Sequence, residues 1–346
     1  MAGHLLSCEV KSNCNGSFRL IDGKAKRMLV KKDDISAAAE LIAQFMRPTS
    51  QVCWPLLSKR CGVEVWVKHE NHTPIGSFKV RGGLIYMDEL KRRRPDVPGV
   101  ITATRGNHGQ SVAFAARAAG IRAVVVVPYG NSCEKNAAMK AFGVDLIENG
   151  KDFNETLDFT KEQAEAQGLE FFPSFDPLLI AGVGTYTVEL LDAVPDLDAI
   201  YVPIGLGSGI CGAISARDAL GSTADIIGVV AEKAAAYSLS YNAGKAVPTN
   251  SADTFADGLA VRIPDDDALE TILTGAARII TVSEVEMKAA MRNYYTCTHN
   301  IAEGAGAASL AALLQEKDKM VGQKVGLVLS GGNIDRELYL DILSGP

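Results

Sequence analysis

The chain has 346 residues, 47% of them hydrophobic, and a formal net charge of −6. That length holds two modest α/β domains. No apolar run is long enough to span a bilayer, and an acidic balance without a basic stripe argues against nucleic acid as a partner. In chain order, residues 1 to 30 carry no periodic pattern and read as a loosely ordered extension. Met1 to Arg27 lacks an apolar stretch followed by a cleavage site, so export is not expected. A strand at Val63–Lys68 precedes a helix at Gly82–Leu90, whose basic end, Arg92 to Arg94, reads as solvated. The chain breaks at Pro95 to Pro98. A strand (Gly99–Thr102), a helix (Ser111–Ala119), a strand (Ala123–Val127), a helix (Glu134–Phe142), a strand (Asp145–Glu148) and a helix (Phe153–Ala166) then form a small α/β unit ending near Gly168. Beyond it come a helix at Gly184–Leu191, strands at Ala199–Ile204, Ile226–Ala231 and Arg278–Val282, helices at Val285–Tyr295 and Gly306–Leu314, and a strand at Val325–Leu329. Several strands are unbroken Val/Ile runs, as expected for parallel strands covered on both faces. The expected organisation is an extension (1–30), a large domain (31–98 plus 169–346) and a small domain inserted in it (99–168). Seven scattered cysteines without a Cys-x-x-Cys pair fit reduced thiols in a cytoplasmic enzyme.

Four segments carry chemistry. In Gly76-Ser77-Phe78-Lys79-Val80-Arg81-Gly82, Lys79 stands at the mouth of an apolar helix. Partial desolvation there disfavours the ammonium and leaves an amine able to condense with an aldehyde. Thr104-Arg105-Gly106-Asn107-His108 follows a strand and opens a helix, a place where backbone amides and the helix dipole favour an anion. Gly205-Leu206-Gly207-Ser208-Gly209 repeats that arrangement, with glycines spaced to let the backbone approach a phosphate. Ser330, in Leu329-Ser330-Gly331-Gly332-Asn333, puts a hydroxyl at the C-terminal edge of the sheet, where open α/β sheets bind ligands.

Together these segments, from about Pro48 to Asn333, resemble the fold-type II pyridoxal-phosphate enzymes, in the serine/threonine dehydratase and serine racemase branch. The resemblance implies a two-domain, tryptophan synthase β-like α/β fold with open, mainly parallel twisted sheets and helices on both faces. It implies pyridoxal 5'-phosphate as cofactor, carried by Lys79 as an imine, with Phe78 beside it, Gly205 to Gly209 on the phosphate, Asn107 at the ring oxygen and Ser330 at the pyridine nitrogen. It also implies an amino-acid substrate whose carboxylate docks on Thr104, Arg105, Gly106, Asn107 and His108, and a homodimer. Glu303 matches a position where an acid closes the cofactor end of the pocket, although it could equally complement a helix dipole. His299 and Asn300 could stand behind it, and Asp257 reads as structural. His108 could simply cap its helix.

A serine hydroxyl does not enforce a proton on the pyridine ring, which suits β-elimination from a 3-hydroxy L-amino acid and suits transamination poorly. The expected products are a 2-oxo acid and ammonia. Two departures from the branch matter. Arg105 stands where serine racemases carry the serine that acts opposite the lysine, and an arginine is a poor proton relay. Racemisation is therefore disfavoured, and Arg105 either meets a substrate side chain, such as that of hydroxyaspartate or phenylserine, or faces solvent. The metal position of the branch is matched by Glu232 and Ala236 but not by Ser238, which removes a hard oxygen ligand; Glu232 could instead pair with Lys233. A racemase and a non-catalytic cofactor carrier remain as alternatives.

Overall fold

The computed structural model describes residues 18–21, 24–27 and 30–345. Most of the expected extension lies outside them. What is described of it forms an antiparallel pair, β1 (Phe18–Ile21) with β2 (Lys24–Arg27). Next come α1 (Lys32–Ile42), β3 (Gln51–Cys53), α2 (Pro55–Cys61), β4 (Glu64–His69) and α3 (Lys79–Arg93). A second sheet is built through β5 (Val100–Ala103), α4 (Asn107–Ala119), β6 (Ala123–Val127), α5 (Cys133–Ala141), β7 (Asp145–Glu148), α6 (Phe153–Gln167) and β8 (Glu170–Phe171). The chain returns through α7 (Pro177–Ala193), β9 (Ala199–Pro203), α8 (Ser208–Leu220), β10 (Asp225–Ala231), α9 (Ala236–Ala243) and α10 (Asp266–Gly275). It finishes with β11 (Arg278–Val282), α11 (Glu284–Thr298), α12 (Gly304–Glu316), β12 (Lys324–Leu329) and α13 (Arg336–Ser344).

The large sheet has the order β11-β10-β9-β12-β4-β3 and is parallel apart from β3 against β4. Its strands are buried on both faces by alternation. Val65, Val67, Tyr201, Val229 and Leu327 enter one core with α11 and α12, while Ile200, Val202, Ile226 and Val328 enter another with α7 and α8. The small sheet, β7-β6-β5-β8, is wholly parallel. Its edge strand β8, which pairs with β5, follows Gly168 in the chain and has no counterpart in the strands expected from the sequence. Two residues are too short to give a strand pattern. Helices α1, α2, α9, α10 and α13 are not among those expected from the sequence, and the helix expected from Gly184 starts at Pro177. There, Asp176 accepts from the Leu178 amide at 2.8 Å and Pro177 holds the first turn.

Two kinds of contact join the sheets. Along α3 the join is apolar: Val80, Leu84, Met87 and Leu90 bury with Val100 of β5, Val112 and Ala116 of α4, and Phe172. The basic end of α3 is not merely solvated, because Arg93 and Arg94 both pair with Glu170 of β8. Across the cleft the join is polar. Ser132 donates to Asp335, the Arg336 amide donates to Glu134 at 3.0 Å, and Lys135 pairs with Asp257 at 2.8 Å. No helix among the described residues is long and apolar enough to cross a membrane.

Candidate active site

The C-terminal ends of β5, β9 and β12 converge with the start of α3. Lys79 is the first residue of α3, and its half-buried side chain ends 3.4 Å from Ser208 Oγ and 5.1 Å from the centre of the Phe78 ring. Burial pushes its ammonium down to about 8, since no carboxylate compensates the lost water. The Phe78 amide donates to the Ser330 carbonyl at 3.0 Å, and Ser77 pairs with Gly331 in an antiparallel bridge. Lys79 and Ser330 are thereby tied through the backbone. The buried Ser330 hydroxyl makes no hydrogen bond among the described residues.

Gly205 to Gly209 connect β9 to α8. The amides of Ser208, Gly209 and Ile210 have no intrahelical acceptor and form an anion site at the helix dipole's positive end. Gly205 must lack a side chain, because a Cβ there would lie 2.3 Å from the Gly258 carbonyl oxygen. Gly207 has a φ of 110°, reached by glycine without strain. The loop is braced from outside. The Leu206 carbonyl accepts from the Tyr237 hydroxyl at 2.8 Å, and the Gly209 carbonyl accepts from the Tyr186 hydroxyl at 3.0 Å.

Opposite lies the start of α4. The helix begins at Asn107, not Ser111, so Asn107 and His108 occupy its first turn. The Thr104 hydroxyl accepts from the Gly106 amide at 3.0 Å and from the Gly109 amide at 3.2 Å. This leaves the amides of Asn107 and His108 available to an anion. Lys135 packs on Gly106, where a Cβ would lie 2.6 Å from its Cδ. His108 is buried edge-on against Phe172, and its Nε2 has no partner among the described residues. Desolvation, with the nearby Lys79 charge, pushes its pKa down to about 3 against an opposing hydrogen bond to the Phe172 backbone, so the imidazole is neutral. Arg105 is exposed and makes no hydrogen bond or ion pair among the described residues.

Asn107 Nδ2 donates to Glu303 Oε1 at 2.6 Å, and its Oδ1 accepts from Asn333 at 2.7 Å. Burial pushes the Glu303 carboxyl up to about 7, opposed by the Lys135 charge and the Asn107 hydrogen bond. Ser132, Lys135, Asp257, Glu303, Asn333 and Asp335 line an adjoining cavity of about 60 Å³. Asp257, read from sequence as structural, is thus the charge partner of Lys135 at the edge of the site. Asn300 does not reinforce Glu303 but meets His72 at 2.7 Å, and His299 ends α11 in a left-handed conformation with φ 55°. Glu232 is exposed, Ala236 and Ser238 are buried, and no ion pair joins Glu232 to Lys233. Among the described residues no three His, Cys, Asp or Glu side chains converge on a metal position.

Glu303 gives a testable stability effect. A carboxyl whose folded pKa is raised contributes stability that is present below its unfolded value and lost as pH rises through about 7. Glu303→Gln removes that loss and keeps an acceptor for Asn107. In the cofactor-free protein its thermal midpoint should exceed that of the parent by a few degrees at pH 8, and the gain should shrink below pH 5. Equal midpoints at both pH values would show that Glu303 is not held against ionisation.

A lowered amine facing a glycine loop, a buried hydroxyl at a strand end and an amide side chain at the start of α4 fit an aldehyde bearing a phosphate and a ring nitrogen. Comparison with known proteins agrees. A family model described as pyridoxal-phosphate dependent enzyme matches residues 42–331. The chain is 33% identical over 311 residues to an L-threonine ammonia-lyase of Thermotoga maritima, covering 89% of this chain and 76% of that one. It is 30% identical to an L-threo-3-hydroxyaspartate ammonia-lyase of Saccharomyces cerevisiae, covering 90% and 96%. The fold matches maize serine racemase with a TM-score of 0.85 at 28% identity, over 90% of this chain and 96% of that chain.

Proposed function

The chain belongs to the family of pyridoxal-phosphate dependent enzymes, and from that premise we propose that it is an ammonia-lyase removing water from a 3-hydroxy L-amino acid. When bound, pyridoxal phosphate supplies an electron sink for a carbanion at the substrate's α-carbon. The protein's own groups then decide the outcome. Lys79 would hold the cofactor covalently, and its amine, once displaced by the substrate amine, would take the α-proton. The Gly205 to Gly209 loop would hold the phosphate. Asn107, fixed by Glu303 and Asn333, would sit beside the ring oxygen, with Phe78 flanking Lys79. The free amides of Asn107 and His108, within the Thr104 to His108 turn, would hold the substrate carboxylate. Ser330 would face the ring nitrogen as a neutral partner that does not enforce a ring proton, which would favour loss of the β-hydroxyl as water over transamination. The released enamine hydrolyses to a 2-oxo acid and ammonia.

The observation that carries this reading is the Lys79 amine, held near a pKa of 8 and 3.4 Å from Ser208 in the glycine loop. A racemase is the second reading, because the fold is shared with one. It needs a group that returns a proton on the face opposite Lys79. Arg105, whose guanidinium offers donors and no acceptor, is poorly suited to that. Incubation with L-serine, L-threonine, L-threo-3-hydroxyaspartate and L-threo-3-phenylserine, with assays for 2-oxo acid, ammonia and D-amino acid, separates the two. Ammonia without D-isomer is expected; D-isomer as main product would replace the proposal. We also propose a cytoplasmic homodimer, with the cofactor in the cleft between the large and small units, which sedimentation and fractionation would test.

Arg105 bears on the choice of substrate. Its exposure leaves the guanidinium free to meet an acidic or aromatic side chain entering the cleft. If it does, Arg105→Ser should shift relative rates towards serine and threonine by at least about tenfold. Unchanged relative rates across the four substrates would place Arg105 in solvent during turnover.

A further inference from the structure

We propose that Arg81 is a positioning residue for Lys79, fixing that amine relative to the phosphate loop by anchoring the first turn of α3 to α7. The inference rests on the reading of Lys79 as the cofactor lysine. Two positions apart on a helix, Lys79 and Arg81 project to nearly opposite sides. Lys79 reaches the cleft, while Arg81 is wholly buried behind it. Its guanidinium makes two forked contacts. Nε and Nη2 donate to the two Glu70 oxygens at 2.7 and 2.9 Å, and Nη1 and Nη2 donate to the two Glu189 oxygens at 2.6 and 2.8 Å. Nη1 also reaches Thr185 Oγ1 at 2.9 Å. Lys68, buried as well, donates to Glu189 Oε2 at 2.5 Å and to the Thr49 carbonyl at 2.7 Å. Two cations thus face two anions, and the cluster is neutral.

Glu189 and Thr185 belong to α7, and the residue beside Thr185 is Tyr186, which donates to the Gly209 carbonyl of the phosphate loop at 3.0 Å. One helix therefore grips both the lysine's helix and the loop that the lysine must face. Backbone contact leaves it no slack. A Cβ on Gly182 would lie 2.4 Å from the Arg81 carbonyl oxygen, and one on Gly212 of α8 would lie 2.8 Å from the Gly184 nitrogen. Stability alone does not account for the charges, since apolar residues of similar volume often replace a buried ion cluster without loss. What apolar packing lacks is direction. A planar fork held at both carboxylates sets the rotation of the first turn of α3, and a lysine cannot reproduce that geometry.

The test uses holoenzyme carrying Arg81→Lys, and separately Glu189→Gln. Four quantities are read: kcat and KM, the pH midpoint of the visible band of the Lys79–cofactor linkage, borohydride trapping located by peptide mass, and the urea midpoint. Arg81→Lys should fold, bind cofactor and trap it on Lys79. Its kcat per bound cofactor should fall roughly tenfold to 10²-fold with KM little changed, the range expected for small misplacement of a reacting group. The pH midpoint of the band should shift. Glu189→Gln, which leaves Glu70 in place, should move the same quantities less. A kcat and band midpoint unchanged per bound cofactor would overturn the proposal and leave the cluster a purely structural element. Should Arg81→Lys fail to fold, Thr185→Val removes one contact without altering charge. It must shift kcat and the midpoint in the same direction, and unchanged values overturn the proposal equally. Cofactor trapped on a residue other than Lys79 in the parent enzyme would refute the reading of Lys79 instead, independently of either variant.

Discussion

Lys79→Ala should leave a folded protein that neither retains cofactor after borohydride treatment nor releases ammonia from any 3-hydroxy amino acid. The amine is asked to do two things, to hold the cofactor and to take the α-proton. Loss of the second alone costs on the order of 10²- to 10⁴-fold. The fold should survive, because among the described residues the amine makes only a long hydrogen bond to Ser208 at 3.4 Å and a ring contact with Phe78, and its burial disfavours its own charge. Removal of a desolvated ammonium is more apt to raise the unfolding midpoint than to lower it. The result therefore separates chemistry from stability in one variant. Ammonia release at the parental rate, with cofactor still trapped, would mean that another lysine serves.

The second large effect is expected at Ser330. The residue is buried and no hydrogen bond of its hydroxyl is found among the described residues, so a ligand atom is the natural claimant. Ser330→Ala should lower turnover by roughly ten- to hundredfold, the value of one lost hydrogen bond of about 1–3 kcal/mol. Cofactor affinity should change far less, because the glycine loop and Lys79 supply most of the anchoring. Ser330→Asp should act oppositely in kind. A carboxylate would fix a proton on the ring nitrogen, prolong the carbanion and divert turnover into transamination. Progress curves that decay as the amino group is left on the cofactor would report it. Unchanged turnover in both variants would place a different group at that nitrogen.

Local chemistry made the four motifs legible. A lysine behind Ser-Phe at a helix start, and glycine runs at strand ends, are constrained within a few residues, and the glycine runs land at the C-terminal ends of strands beside the start of α3. The sheets were legible for a related reason, since Val/Ile runs such as Ala123–Val127 have no alternative but burial. What the sequence withheld is long-range. Lys135 and Asp257 are 122 positions apart and belong to no pattern, so the acid and base beside Glu303 could not be joined without the fold. The same holds for Arg81 and Glu189, separated by 108 positions. Other omissions were avoidable. Ile35, Ala38 and Ile42 bury one face of α1 at helical spacing, and Asp265 accepts from the Ala268 amide in an ordinary N-cap of α10.

The cleft has two unlike edges. Along α3 the two sheets share an apolar core, flanked only at its outer end by the exposed pairs of Arg93 and Arg94 with Glu170, so parting them there exposes Leu84, Leu90 and Phe172. Along α5 and α13 they meet through a hydroxyl, a carboxylate, an amide and one ion pair whose Asp257 side is 37% exposed. Each of those groups can trade its partner for water at small net cost. Opening is therefore cheap on one side and costly on the other, and salt, which also screens the exposed Arg93 and Arg94 pairs, leaves the apolar core of the costly side in place. A molecule reaching Lys79 should come past Ser132 and Asp335, and added electrolyte should quicken its entry and exit more than it loosens the fold.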